Sequence, residues 1–81
     1  MSCDESLTSV VQETVFKSSL TAQEIAKSIK KPYSTLMREL NPYDQGAKLG
    51  AETMLDMMIQ TGDIAPLEYM ARKLGCKVVP V

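Results

Sequence analysis

Four side chains near the middle of this chain have the types and the spacing to read a hydrogen-bonding surface. Ser34, Met37, Arg38 and Asn41 stand at i, i+3, i+4 and i+7 and would share one stripe of a helix. Their chemistry is recognition, not bond-making. A guanidinium donates two parallel hydrogen bonds to guanine, a carboxamide pairs with adenine, a hydroxyl donates or accepts, and a thioether lies against a thymine methyl group. Gln23, Lys27, Lys30, Lys31, Tyr33 and Lys48 flank them with donors suited to phosphate oxygens, and free N–H groups at a helix N-terminus would add to these. Each has a plainer reading. The lysines equally suit a solvated helix end, Arg38 suits a surface ion pair with Asp44 or Glu39, and Tyr33 suits the core.

Catalytic and metal chemistry are poorly supplied. The chain has no histidine, the commonest general base, and no glycine-rich phosphate loop or G-x-S-x-G turn. Cys3 and Cys76 lie near opposite ends with no C-x-x-C spacing, so neither a zinc cage nor a disulfide framework is indicated. The expectation is a protein with no catalytic residue, metal or cofactor, and with two free thiols.

Those side chains need a scaffold, and 81 residues suffice for one core of a few packed helices. The expected organisation is a single domain over 1–81 whose last residues, 76–81, form a short apolar tail that is frayed or pairs with another chain. The 44% hydrophobic and 23% charged fractions are those of an ordered globular chain. No apolar run is long enough to cross a bilayer and the first residues are acidic, so no membrane partner and a cytoplasmic location are expected. The net charge of -1 conceals an uneven distribution. Residues 1–16 carry Asp4, Glu5 and Glu13 with no base, whereas residues 17–48 carry six basic side chains against Glu24, Glu39 and Asp44. The remainder is slightly acidic, so only the middle third is basic.

Periodicity predicts five short helices and an all-α fold. Leu7, Val10, Val11, Thr14 and Val15 form one stripe from about Glu5 to Lys17, with Asp4 or Ser6 as cap. Thr21-Ala22-Gln23-Glu24 has the form of a capping box and starts a second helix with Ile25, Ala26 and Ile29 inward. Pro32 ends that segment through a Lys30-Lys31 turn and suits the first turn of a third helix, about 32–41, whose inner spacing is Tyr33, Leu36 and Leu40. Asn41-Pro42 stops it, and a polar loop runs to Leu49. Gly50–Thr61 reads as a fourth helix with Met54, Leu55, Met58 and Thr61 inward, Met57 off the stripe, and Gly62 as a left-handed terminator. Asp63 and Pro66 open a fifth, held by Leu67, Met70, Ala71 and Leu74 and ended by Gly75.

Two short helices joined by a tight turn are the arrangement that places the second in a DNA major groove. The stretch from Ile25 to Leu40 fits it, with small Ala26 at the crossing and Ile25, Ile29 and Leu36 at core positions. Lys30 and Lys31 occupy a turn that commonly holds glycine and then an apolar residue.

Beyond that motif the chain resembles the phage CII-type regulatory proteins of temperate bacteriophages and related prophages. The resemblance rests on Ser34-Thr35-Leu36, Leu40-Asn41-Pro42, Lys48-Leu49, Thr61-Gly62-Asp63 and Ala71-Arg72-Lys73-Leu74-Gly75, and it spans roughly residues 7–75. Gly50 departs from it, standing where a Ser or Thr cap would be stronger. The resemblance implies a lambda-repressor-like fold, a homodimer or higher homo-oligomer, and sequence-specific binding to double-stranded operator or promoter DNA. RNA polymerase is a further candidate partner for such a transcriptional regulator. The competing reading is a helical protein–protein interaction module that keeps the fold without binding DNA, since the overall charge is slightly acidic.

Overall fold

The computed structural model describes residues 6–44 and 46–81. Among these residues the chain forms five helices and no strand: α1 (Leu7–Lys17), α2 (Ala22–Ser28), α3 (Tyr33–Glu39), α4 (Ala51–Thr61) and α5 (Ala65–Lys73). Helix α1 is the hub, packing on α5, α4 and α2, while α2 packs on α3 and α4.

Local chemistry sets most of the boundaries. The Ser6 hydroxyl accepts the Ser9 N–H at 3.2 Å, and the Ser9 hydroxyl accepts the Ser6 N–H at 2.9 Å, which satisfies two backbone donors at the start of α1. The alternative cap, Asp4, lies outside the described residues. Thr21 and Glu24 form the expected reciprocal pair at α2, at 3.1 and 2.8 Å. Gly50 caps α4 without a side-chain hydrogen bond, and Gly62 ends that helix at φ 72°, where a Cβ would be strained. Pro66 sits in the first turn of α5, where its missing N–H has no intrahelical partner to lose.

The core joins Val11 and Val15 of α1, Ile25 and Ala26 of α2, Leu36, Leu40 just past α3, and Met57 of α4. Val10 and Thr14 are also buried, and the Thr14 hydroxyl donates to the Val10 carbonyl at 3.0 Å, so this polar side chain is satisfied within its own helix. Leu7, Leu20, Ile29, Met37, Leu49 and Met54 pack around the cluster.

Three inward assignments are corrected. In α4 the buried residues are Thr53 and Met57, while Leu55 is half exposed at 50%; Met54, Met58 and Thr61 lie between. Residues 54–59 hold five apolar side chains, so periodicity cannot choose the face, and packing against α1 and α2 turns the Thr53–Met57 side inward. In α5 the buried residues are Pro66 and Tyr69, with Met70 and Ala71 intermediate and Leu67 and Leu74 exposed. Tyr69 covers more area than a leucine, and its ring carries Arg72 and Lys73 with the charged groups 6.0 and 5.5 Å from its centroid. Tyr33, placed inward by spacing, is 45% exposed because it opens α3, one turn ahead of Leu36 and two ahead of Leu40.

The α4 register is testable by truncation. Met57→Ala is expected to cost about 2–5 kcal/mol in urea unfolding, because it empties a fully buried site, whereas Leu55→Ala should cost less than about 1 kcal/mol. Equal costs for the two would overturn the register.

Candidate nucleic-acid interface

Helices α2 and α3 are each seven residues long and are separated by the four residues Ile29–Pro32. The turn closes with two backbone hydrogen bonds, Lys30 N–H to the Lys27 carbonyl at 3.2 Å and Lys31 N–H to the Ala26 carbonyl at 2.9 Å. That closure places Lys30 at φ 59°, in the left-handed region usually held by glycine. The lysine at this point is thus compatible with the turn, at a backbone cost of roughly 1 kcal/mol or somewhat more. Lys31 is drawn into an ion pair with Glu39 at 2.8 Å, with side chains 24% and 14% exposed, which ties the turn to the last residue of α3.

With Leu36 and Leu40 fully buried, the outward side of α3 carries Tyr33, Ser34, Thr35 and Arg38, all exposed. Thr35 shares this face although spacing alone gave it no role; its position one turn before Arg38 was the available signal. Met37 is half-buried and packs on the core, leaving only its outer edge on the stripe. Asn41 is exposed, but its Oδ1 accepts the Tyr43 N–H at 2.9 Å, so its oxygen helps shape the turn after α3. Tyr43, in the same loop, is 89% exposed, an aromatic ring that helical spacing does not single out.

Gln23, Lys27, Lys30 and Lys48 are exposed. Gln23 and Lys27 are one turn apart on α2, and Lys30 follows at its end. Lys48 joins Asn41 and Asp44 along an open groove of roughly 480 Å3 that Thr8 and Leu49 also line. The structure therefore gathers Arg38, Asn41 and Lys48 around the loop after α3, leaves Gln23, Lys27 and Lys30 on α2 and its turn, and commits Lys31 to Glu39.

Arg38 meets Asp44 as the plainer reading of it allowed: Nε donates to Oδ2 at 3.0 Å. Asp44 Oδ1 accepts the Gly46 N–H at 2.9 Å. The Arg38 hydrogen bond, followed by the Gly46 N–H, holds the Asp44 carboxyl below its ordinary range; the same hydrogen bond raises the Arg38 pKa. Among the described residues no cluster of His, Cys, Asp or Glu has metal-binding geometry, Cys76 is an exposed free thiol, and no helix is long and apolar enough to cross a membrane.

Fold and site together define a small all-α module that turns a polar helix face outward. The chain belongs to the phage regulatory protein CII (CP76) family, whose profile matches residues 5–81. No curated protein and no solved structure gives a significant match to it.

Because the folded Asp44 titrates lower than its unfolded counterpart, its contribution is present above the ordinary carboxylate pKa and is lost as pH falls through the depressed folded value. Side-chain carboxyl NMR titration is expected to give Asp44 a midpoint below the ordinary carboxylate value, rising in Arg38→Ala while the Gly46 bond keeps part of the depression. An unchanged midpoint in Arg38→Ala would show the ion pair does not persist in solution.

Proposed function

We propose that this protein is a sequence-specific DNA-binding transcriptional regulator of phage or prophage type that lays α3 in the major groove as a helix-turn-helix reading helix. The observation that carries this reading is the division of α3: Leu36 and the adjoining Leu40 are wholly buried, whereas Ser34, Thr35 and Arg38 face solvent. A regulatory family supports a non-catalytic role and the presence of a nucleic-acid or protein partner.

In this reading Ser34 and Arg38 read base edges, Asn41 contributes through its Nδ2, and the outer edge of Met37 flanks them. Gln23, Lys27, Lys30, Tyr33 and Lys48 hold phosphates, and Lys31 contributes charge while fixing the turn through Glu39. Lys30 fits this reading, since it keeps a cationic side chain at a left-handed position that favours glycine. A homodimer or higher homo-oligomer on repeated half-sites would supply the specificity that one small module lacks.

A second reading, an interaction module without DNA affinity, is favoured by exposed Leu55 and Ile59, one turn apart on α4. In the main reading the same pair lies on the oligomer face.

Selection of duplexes from a randomised pool at two salt concentrations separates these readings. The wild type should enrich a defined site with affinity falling as salt rises, and Arg38→Ala should lose roughly ten- to hundredfold in discrimination at one base position. Absence of enrichment even at low salt would leave the interaction module as the answer. Lys30→Gly provides a separate check. It should stabilise the fold by up to about 1 kcal/mol while reducing the salt slope of DNA binding by about one phosphate contact. An unchanged salt slope would remove Lys30 from the phosphate contacts.

A further inference from the structure

We propose that Asp44 is the positioning residue of this interface: it presets the Arg38 guanidinium for base reading and so governs sequence choice without touching a base. This rests on α3 being the reading helix and Arg38 reading a base.

An arginine whose side chain is 61% exposed loses considerable rotational freedom when it binds, and a partner that orders it beforehand reduces that loss. The Asp44 carboxylate is built for this. Its Oδ1 is fixed to the loop backbone by the Gly46 N–H at 2.9 Å, and its own N–H donates to the Asn41 carbonyl at 3.1 Å, which fastens it to the end of α3. Oδ2 is left to take the Arg38 Nε at 3.0 Å. Because Nε is the occupied donor, both terminal nitrogens remain available for an end-on, two-bond contact with a base edge. The small residue at Gly46 leaves room for this pair: a Cβ built there would lie 3.2 Å from Nη2 and 3.4 Å from Asp44 Oδ1.

A carboxylate beside a polyanion lowers affinity for every duplex alike. Its value must therefore lie in discrimination, and this gives two readouts of opposite sign. Removing the charge should tighten non-specific binding while relaxing the choice made by Arg38; a merely structural residue would move neither in that pattern.

The test uses the full chain and the duplex enriched by the wild type, competed against its single-base variants and an unrelated duplex. Wild type, Arg38→Ala, Asp44→Asn, the double variant and Asp44→Glu are compared, with circular dichroism melts to establish folding. Asp44→Asn is expected to bind unrelated duplex at least as tightly as wild type. At the position Arg38 reads, it should lose roughly threefold or more in discrimination, and it should add nothing when combined with Arg38→Ala. Asp44→Glu, which keeps the charge but carries the carboxylate one methylene further from the loop backbone, should relax the same position; it decides the matter if Asp44→Asn fails to fold. Full discrimination in the folded Asp44→Asn variant, or retained discrimination in Asp44→Glu when it stands alone, overturns the proposal. So does a uniform loss across positions. If the wild type selects a site but Arg38→Ala relaxes none, the positioning role falls while DNA binding stands; if the wild type selects no site, both fall.

Discussion

Complete burial of Leu36 and Leu40 fixes the rotation of α3, and the outward presentation of Ser34 and Arg38 depends on it. The two side chains lie one helical turn apart and enter the same cluster as Ile25 and Ala26 of α2, Val11 and Val15 of α1, and Met57 of α4. A seven-residue helix has no independent stability in water, so α3 exists only because this cluster holds it. Once that stripe is inside, Ser34, Thr35 and Arg38 are outside by geometry alone. The Lys31–Glu39 pair then restrains the ends of the unit, tying the turn before α3 to the residue that closes it.

Boundaries were legible in the sequence wherever one residue carries a local, nearly context-free signal. Thr21 with Glu24, Pro32, Asn41-Pro42, Gly62 and Gly75 all act through their own backbone geometry or the nearest turn. Helix faces were legible only where apolar residues are sparse. In α1 the valine stripe allows one solution, and it is the one observed. In α4 the five apolar residues among positions 54–59 allow several, and the choice of Thr53 and Met57 is made by α1 and α2, which are distant in sequence. The burial of Tyr69 in place of Leu67 and Leu74 has the same origin, because α5 is placed chiefly by its contact with α1. At the candidate interface, residue types and stripe were readable, but the engagement of Lys31 by Glu39 and of the Asn41 oxygen by Tyr43 depends on how the chain turns after each helix.

Charge shows most clearly why composition is a poor guide here. The middle third is basic in sequence, yet two of its cations, Lys31 and Arg38, are matched by internal carboxylates, and the Glu24 carboxylate is engaged at the Thr21 N–H. Lys17, Lys27, Lys30 and Lys48 are exposed. A polyanion would therefore meet a few separated cations and a restrained guanidinium, which favours selective over indiscriminate attraction. The slightly acidic total is compatible with DNA binding for the same reason: long-range repulsion is screened within about 8–10 Å at physiological salt, while close contacts respond to the side chains actually present.

The ends of α2 and α5 make an internal comparison that bears on function. Both helices close with the same pair of backbone hydrogen bonds and the same left-handed residue just beyond the cap. At α5 that residue is Gly75, the choice backbone energetics alone would make. At α2 it is Lys30, which accepts a left-handed backbone that disfavours any side chain. The fold itself has no need of a cation there, because the turn's hydrogen bonds are formed entirely by backbone groups. The departure occurs at the turn that introduces α3, while the same motif at the end of α5 keeps its glycine. On the proposed reading, the lysine accepts this backbone cost because its cation stands beside the exposed polar face of α3.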